Sequence, residues 1–491
     1  MNLWRRIVHI ILIAFALHSV ALAQESLSDE VLIKLKPAAA FPNTRGYIKS
    51  AHAAGLLSQN RAWSHLNIHH LKLAPGLSLA NAITNIKTDP DVEYVEPNYI
   101  VKADQLQQFG LLGGSGFSQS SAPIKVDEAW SILTTDLPRT VVAIIDTGVD
   151  TSHEVFAGSE SIWVNPNEIP GNGIDDDGNG YVDDVNGWNF VSKNNSPMDD
   201  QGHGTHVAGI VLGVTQNIFA NPLEKSKILL MPLKFLDSQG SGTTSDAIDA
   251  ITYAIKNGAH VLNNSWGGTG ASQALLDAIK HSKSTGRSFV AAAGNQSNDN
   301  DSNPTYPASY AVENIIAVAA TTDSDAFADF SNFGFKTVHM GAPGQDIKST
   351  LPSDAYGTSS GTSMATPFVA GTAALMIREK SFLDGVRVRN LILGGTDKIT
   401  SLSGKVSTEG RLNVYNSVVA AQNATETSSS TLSSSDDNTI YEGAILGGGC
   451  GLVKSTSNGS RPGPSGLVAL VLLLMPLFAF LALRRRCLYQ D

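Results

Sequence analysis

Gly361-Thr362-Ser363-Met364-Ala365-Thr366-Pro367 opens onto an apolar run, Phe368 to Ile377, with few turn signals and many helix formers. That run reads as a buried helix. Gly361 lets the backbone turn sharply before the serine. Thr366-Pro367 falls in the first turns, where proline costs least. Ser363 is thereby set at a helix N-terminus, beside backbone N–H groups that have no helical partner. A nucleophile that must stabilise a developing oxyanion needs such a place. A serine that only caps the helix is the other reading of the same residues.

Outward from this stretch, residues 122–422 alternate between two patterns. Thr140 to Ile145, Lys227 to Phe235, His260 to Asn263, Ser288 to Ala293 and Asn314 to Ala319 are apolar runs of strand length. Val207 to Leu212, Ser245 to Lys256, Ser272 to Ser284 and Met364 to Ile377 read as helices. Unbroken apolar strands between helices predict a mostly parallel sheet covered on both faces, a three-layer α/β/α domain. About 300 residues can form one such domain.

Residues 24–103 form a smaller unit. Val31, Ile33 and Leu35 alternate with polar neighbours as in a half-buried strand, and Asn67 to Leu73 reads as another. Leu79, Ala82, Ile83 and Ile86 recur at helical spacing, and Val92 to Val101 returns as strand. This predicts a small α+β domain. Residues 104–121 are rich in Gly, Ser and Gln, and read as an exposed linker open to cleavage.

Both ends carry targeting patterns. Residues 1–23 combine basic Arg5-Arg6, an apolar stretch from Ile7 to Val20 and the small-residue site Ala21-Leu22-Ala23. This is the pattern of a secretory signal peptide, and an uncleaved anchor helix is the competing reading. Residues 423–465 are a Ser/Thr/Gly-rich stalk containing Cys450. Residues 466–486 hold eighteen apolar residues, Gly466 to Leu483, closed by Arg484-Arg485-Arg486, and residues 487–491 form a short tail. Eighteen apolar residues before a basic stop predict a membrane helix. The order of Cys motif, helix and basic cluster resembles the C-terminal sorting signals of Gram-negative bacteria, in which an intramembrane protease removes the tail. A permanent anchor is the plain alternative, and Cys450 is either an attachment site or a free thiol. The mature protein is expected outside the cytoplasm, in the periplasm, at the cell surface or beyond it. The formal charge of −11, with no basic stretch, argues against a nucleic-acid partner.

The chemistry is spread along the large domain. Asp146-Thr147-Gly148 ends the strand Val141 to Ile145, and sites in open α/β sheets form at carboxyl strand ends. An aspartate there can orient a histidine; a turn-capping aspartate is the bland reading. His203 stands between Gly202 and Gly204, with the room a general base needs beside a substrate. His206, one turn further on, reads as a packed core histidine. The two histidines lack an intervening Glu and a third ligand, which disfavours zinc. Asn295 follows Gly294 at the end of another strand, where its side-chain N–H can reach an oxyanion; a turn asparagine is the alternative.

Taken together, Asp146-Thr147-Gly148, His203-Gly204-Thr205-His206-Val207-Ala208-Gly209 and Gly361 to Pro367 resemble the motifs of subtilisin-like serine proteases in their chain order. An α/β-hydrolase fits less well, because Gly361-Thr362-Ser363-Met364-Ala365 lacks the second glycine of the nucleophile elbow. The resemblance implies a peptide-hydrolysing enzyme with Ser363 as nucleophile, His203 as general base and Asp146 as its partner. It implies an oxyanion hole from Asn295 and the Ser363 backbone N–H. It also implies that Ser241-Gly242 and Ser265-Trp266-Gly267, with Gly268 after them, flank a polypeptide substrate held as an added strand. Gln296 and Thr305 fall where the family lines its main specificity pocket; neither is charged, so large apolar side chains are expected over Arg or Lys. Tyr306-Pro307 resembles the family's cis-proline turn. The unit at 24–103, with Asp91-Val92-Glu93-Tyr94-Val95-Glu96-Pro97-Asn98, resembles the family's inhibitory propeptide. A surface-displayed binding or adhesion module that processes only itself is the alternative function.

Asn172 to Asp184 is an insertion dense in carboxylates. Asp175, Asp177 and Asn179, with Gly180 in sixth place, follow the first half of a calcium loop, and Tyr181, Asp183 and Asp184 complete the candidate set. The twelfth place is Asn186 rather than Glu, so this is no full EF-hand. Carboxylates so crowded repel one another without a cation; a solvated acidic turn is the alternative to Ca2+. Where many family members carry a calcium-ligating Asp after the catalytic one, this chain has Val155, a departure at the family's usual site.

Overall fold

Along Thr140–Asp146 every residue is buried, and successive side chains serve two different cores. Val142 and Ile144 pack with Val207, Val211, Phe368 and Val369. Val141, Ala143 and Ile145 pack with Ile248, Ile251, Leu275 and Ile279. A strand apolar on both faces, with helices over each, is the middle of a three-layer α/β/α sandwich. The computed structural model describes residues 24–103, 110–112, 124–216 and 225–426.

The N-terminal unit comprises β1 (Ser26–Leu35), α1 (Tyr47–Ala53), β2 (Leu57–Trp63), β3 (Ile68–Leu73), α2 (Leu79–Ile86) and β4 (Val92–Ala103). Its sheet is antiparallel in the order β2-β3-β1-β4. Val31, Ile33 and Leu35 of β1 close a separate core against Ile48, Ala82 and Ile86. Leu32, pointing the other way, joins the core of the large unit together with Trp63 and Ile68.

After β5 (Gly110–Leu112) come α3 (Val126–Ile132), β6 (Thr140–Asp146), α4 (Glu154–Gly158), β7 (Trp188–Asn189), α5 (His203–Thr215), β8 (Ile228–Lys234), β9 (Ser241–Thr243) and α6 (Thr244–Lys256). There follow β10 (Val261–Asn264), β11 (Trp266–Gly267), α7 (Gln273–Ser284), β12 (Ser288–Ala292), β13 (Ile315–Thr321) and β14 (Met340–Pro343). The described chain ends with β15 (Ile347–Leu351), β16 (Ala355–Ser359), α8 (Thr362–Glu379), α9 (Gly385–Gly394), β17 (Asp397–Lys398), β18 (Gly410–Arg411) and α10 (Val414–Gln422). The main sheet has nine strands, ordered β17-β18-β14-β13-β12-β10-β6-β8-β7, parallel but for the β17–β18 pair.

Two local readings change and a third is sharpened. The helix expected from Val207 starts at His203, because hydrogen bonds to Asp199 and Gln201 hold its first turn despite the two glycines. Gly110–Leu112, inside the stretch read as a linker, is a strand beside β16. Pro367 falls within the first turns as read, but in the second turn of α8, past the positions where proline costs least, a place explained at the site below. Among the described residues no helix is long and apolar enough to cross a membrane. The leader, the stalk from residue 427 on, Cys450 and the 466–486 segment lie outside the described residues.

Candidate active site

Asp146 ends β6 and His203 begins α5; both side chains are fully buried. The Nδ1–H of His203 donates to Asp146 Oδ1 at 2.7 Å, and the same oxygen accepts from the Thr147 N–H at 2.7 Å. The two segments touch so closely that only glycine fits at 204: a Cβ there would lie 2.0 Å from the Gly148 oxygen. His206 Nε2 faces the carbonyls of Ile347 and Gly357 at 3.0 and 3.3 Å. Burial, and then the nearby His203, push its pKa down to about 3, so it is a neutral packed histidine.

Ser363 is the second residue of α8 and is buried. Its Oγ donates to the Ser265 carbonyl at 2.9 Å, and Ser265 Oγ donates to the Ser363 carbonyl at 3.0 Å. Pro367 explains the second bond. In a regular helix the N–H four residues on would take the Ser363 carbonyl, and proline has none. Asn295, just past β12, accepts through Oδ1 from the N–H and Oγ1 of Thr362 at 2.8 and 3.1 Å. Its amide oxygen faces the helix, so the other end of the amide is an NH2 donor.

The candidate pocket residues Gln296 and Thr305 meet at a residue the sequence did not single out. The buried Nδ2 of Asn332 lies 3.0 Å from Gln296 Oε1 and 3.2 Å from Thr305 Oγ1, while Asn332 Oδ1 accepts from Gln296 N–H at 2.8 Å. An asparagine far along the chain carries no motif by which to find it. The Tyr306–Pro307 bond is cis.

Ser241–Thr243 and Trp266–Gly267 flank a groove that the chain itself fills. The end of β4 pairs antiparallel with both: Ile100, Val101 and Lys102 with Thr243, Gly242 and Ser241, and Lys102 and Ala103 with Gly267 and Trp266. The Ala103 N–H donates to Gly240 O at 2.8 Å. One expectation about small residues changes here. A Cβ on Gly242 would meet Phe235 O at 2.6 Å, within its own domain, whereas one on Gly268 would meet Ile100 O of the inserted strand at 3.2 Å. Two β4 side chains on one face also cap helices of the large unit. Glu96 accepts from Ser272 Oγ and from the N–H groups of Gln273 and Ala274 at 2.6, 2.7 and 3.1 Å. Asn98 accepts from the Ser245 N–H at 3.0 Å.

In the acidic insertion, Asp175 and Asp177 come together with Glu168, which precedes the predicted loop, one oxygen from each lying within 4.8 Å of the others. Glu168 Oε1 accepts from the Asp176 and Asp177 N–H groups. Its Oε2 is buried and has no hydrogen-bond partner among the described residues. Burial, with the charges of Asp184 and Asp177, raises its pKa. Asn179 donates to Asp177 and Asp184. Asp183 turns instead to the N–H groups of Asn172 and Gly173. Asp184 accepts from Asn165 and Tyr253, and the Tyr181 ring packs on Trp188, Phe190 and Tyr253.

The parallel sheet, the Asp…His…Ser order along it and the groove for an added strand define a serine endopeptidase. Residues 138–404 match the subtilase family, and residues 21–98 match the fervidolysin N-terminal prodomain. The chain is 34% identical over 393 residues to the thermophilic serine proteinase of Bacillus sp. (strain AK1), covering 80% of this chain and 88% of that one. It is 36% identical over 295 residues to thermitase of Thermoactinomyces vulgaris, covering 60% and 93%. Subtilisin E of Bacillus subtilis (strain 168) is 32% identical over 352 residues, covering 71% and 82%. The chain belongs to the subtilase family of serine endopeptidases, and is made as a zymogen with an N-terminal prodomain.

Proposed function

We propose that Ser363 attacks the scissile carbonyl, that His203 is its general base, and that Asp146 orients and charge-stabilises the imidazole. The observation that carries this reading is the fully buried 2.7 Å bond between His203 Nδ1 and Asp146 Oδ1, at the carboxyl end of the sheet beside the groove. With Nδ1–H committed to the carboxylate, Nε2 is the basic nitrogen. It takes the Ser363 proton as Oγ bonds to the carbonyl carbon, then returns it to the leaving amine; water repeats the cycle on the acyl-enzyme. The Asn295 NH2 and the Ser363 N–H receive the oxyanion. Substrate lies between β9 and β11 as the end of β4 does in the zymogen, and the uncharged Gln296 and Thr305 favour large apolar side chains.

The proposal includes a calcium site. Glu168, Asp175, Asp177 and Asn179 would hold Ca2+; a Glu168 side chain grouped with two carboxylates, with one buried oxygen that has no partner among the described residues, fits a hard cation. Bound there, the ion supplies the positive charge that lets the carboxylates stay close. Asp183 and Asp184 act behind them, through the loop backbone and through Asn179. We also propose export through the 1–23 leader, with the 466–486 segment either anchoring the enzyme at the membrane or being removed.

The test is Ser363→Ala. Peptide hydrolysis vanishes and uncut precursor accumulates; processing and hydrolysis at wild-type rates would refute the assignment.

A further inference from the structure

The two halves of the Asp146–His203 pair come from different segments, and one further carboxylate joins them. Asp199 is 8% exposed and accepts five hydrogen bonds. On Oδ1 it receives Thr147 Oγ1 at 2.9 Å, from the residue after Asp146, and the N–H groups of Gln201 and Gly202 at 3.0 and 2.8 Å, just before His203. On Oδ2 it receives the N–H and Oγ1 of Thr205 at 2.9 and 2.6 Å. Both threonine hydroxyls also work in reverse. Thr147 Oγ1 accepts from the Gly204 N–H at 2.9 Å, and Thr205 Oγ1 accepts from the Asp150 N–H at 3.0 Å. Two relays therefore run through one carboxylate, from residues 147 and 150 on the β6 side to residues 202–205 on the α5 side. Thr147 is held from behind too, since the buried Lys234 ammonium donates to its carbonyl at 2.8 Å.

We infer that Asp199, acting through Thr147, is a positioning residue for the hydrolytic reaction: it sets the place of the His203 backbone relative to Asp146. The inference rests on the Asp146–His203–Ser363 reading. The pair needs this tie because a general base works only within hydrogen-bond reach of the proton it takes. A misplacement of about 1 Å can cost about 100-fold in rate. No oxygen of Asp199 bonds the imidazole itself, so its effect passes through backbone position and touches the chemical step more than substrate affinity.

The experiment compares Thr147→Val, Thr147→Ser, Asp199→Asn and wild type as full-length precursors matured in place. Working sites are counted by the burst of an ester substrate, so that misfolded molecules do not enter the rates. Valine keeps the shape but removes the hydroxyl that bridges Asp199 and Gly204. Thr147→Val is expected to lose kcat per working site by about 10- to 100-fold, with KM little changed, and Thr147→Ser to recover most of that loss. Asp199→Asn, where it folds, should lose kcat in the same way. If Thr147→Val keeps wild-type kcat per working site, or loses only burst amplitude and melting temperature, Asp199 is structural and the inference falls. If His203→Ala or Ser363→Ala keeps the burst, the underlying site assignment falls instead.

Discussion

Asn295 and Thr362 are locked together at the head of α8: Asn295 Oδ1 accepts from the Thr362 N–H at 2.8 Å and from its Oγ1 at 3.1 Å. This contact decides which end of the amide can meet a substrate. Asn295→Leu removes the donor without leaving a new charge. It should lower kcat by about 10²- to 10³-fold, with KM little changed; that range is the one known for a single such donor in subtilisin, a member of this family. Steady-state kinetics on a peptide substrate give the answer. A loss confined to KM would mean that the side chain binds ground state and transition state alike.

Glu96 caps α7 from the prodomain, replacing water on two N–H groups and the Ser272 hydroxyl. Hydrogen bonds to a charged group contribute about 1.5–3 kcal/mol. Glu96→Gln should therefore weaken retention of the cleaved prodomain by about 10- to 100-fold. Gel filtration of freshly matured enzyme, scored for prodomain that co-elutes with protease, measures this directly.

The rings of His65 and His281 meet between prodomain and protease, tilted by 50° with centroids 4.7 Å apart. Partial burial, then the charge of His281, lowers the His65 pKa, and partial burial lowers that of His281. Each ring binds a proton more weakly when the prodomain is docked, so this pair stabilises the docked state above the free value of about 6.5 and loses that contribution as pH falls through it. Glu96 and Asp249 oppose it. Burial raises both, Asp249 to about 6 against the pull of Arg61, so they bind protons more tightly when docked. His65→Gln separates the two effects. Between about pH 7 and about pH 5.5, the variant should lose less prodomain retention than wild type; an equal or greater loss would show that the ring pair does not respond to acid.

Chelation should lower the melting temperature of the wild-type enzyme, and added calcium should restore it. A ligand at 100 times its Kd stabilises the fold by about 2.7 kcal/mol. Glu168→Ala and Asp175→Ala should each melt at one temperature with or without chelator. A chelation effect that survives in both variants would place the ion elsewhere.

The sequence was most legible where one residue must meet several demands at once. Val141 to Ile145 read as a buried strand, and Gly204, read as room beside His203, is in the fold a point of close approach to the Gly148 carbonyl. Harder to read were roles created by contact across long separations. Glu168 is an ordinary glutamate until the loop folds back on it. Asn332 is a turn asparagine until it meets Gln296 and Thr305. Asp199 carries no motif in the sequence, yet its bonds from Gly202 and Thr205, with Gln201 on the His203 N–H, bring the helix start forward to His203. Glu96 and Asn98 are polar residues on a strand until two helix ends arrive on the same face.

The central claim is that Ser363 is the atom donor to the acyl-enzyme, activated by His203. It is tested most directly by treating the mature enzyme with a fluorophosphonate and mapping the adduct by peptide mass spectrometry. One labelled residue is expected, Ser363, with hydrolysis lost in proportion to its labelling and both labelling and hydrolysis abolished in His203→Ala. Full peptide hydrolysis by enzyme labelled at Ser363, or an adduct on another serine that tracks the loss of activity, would contradict it.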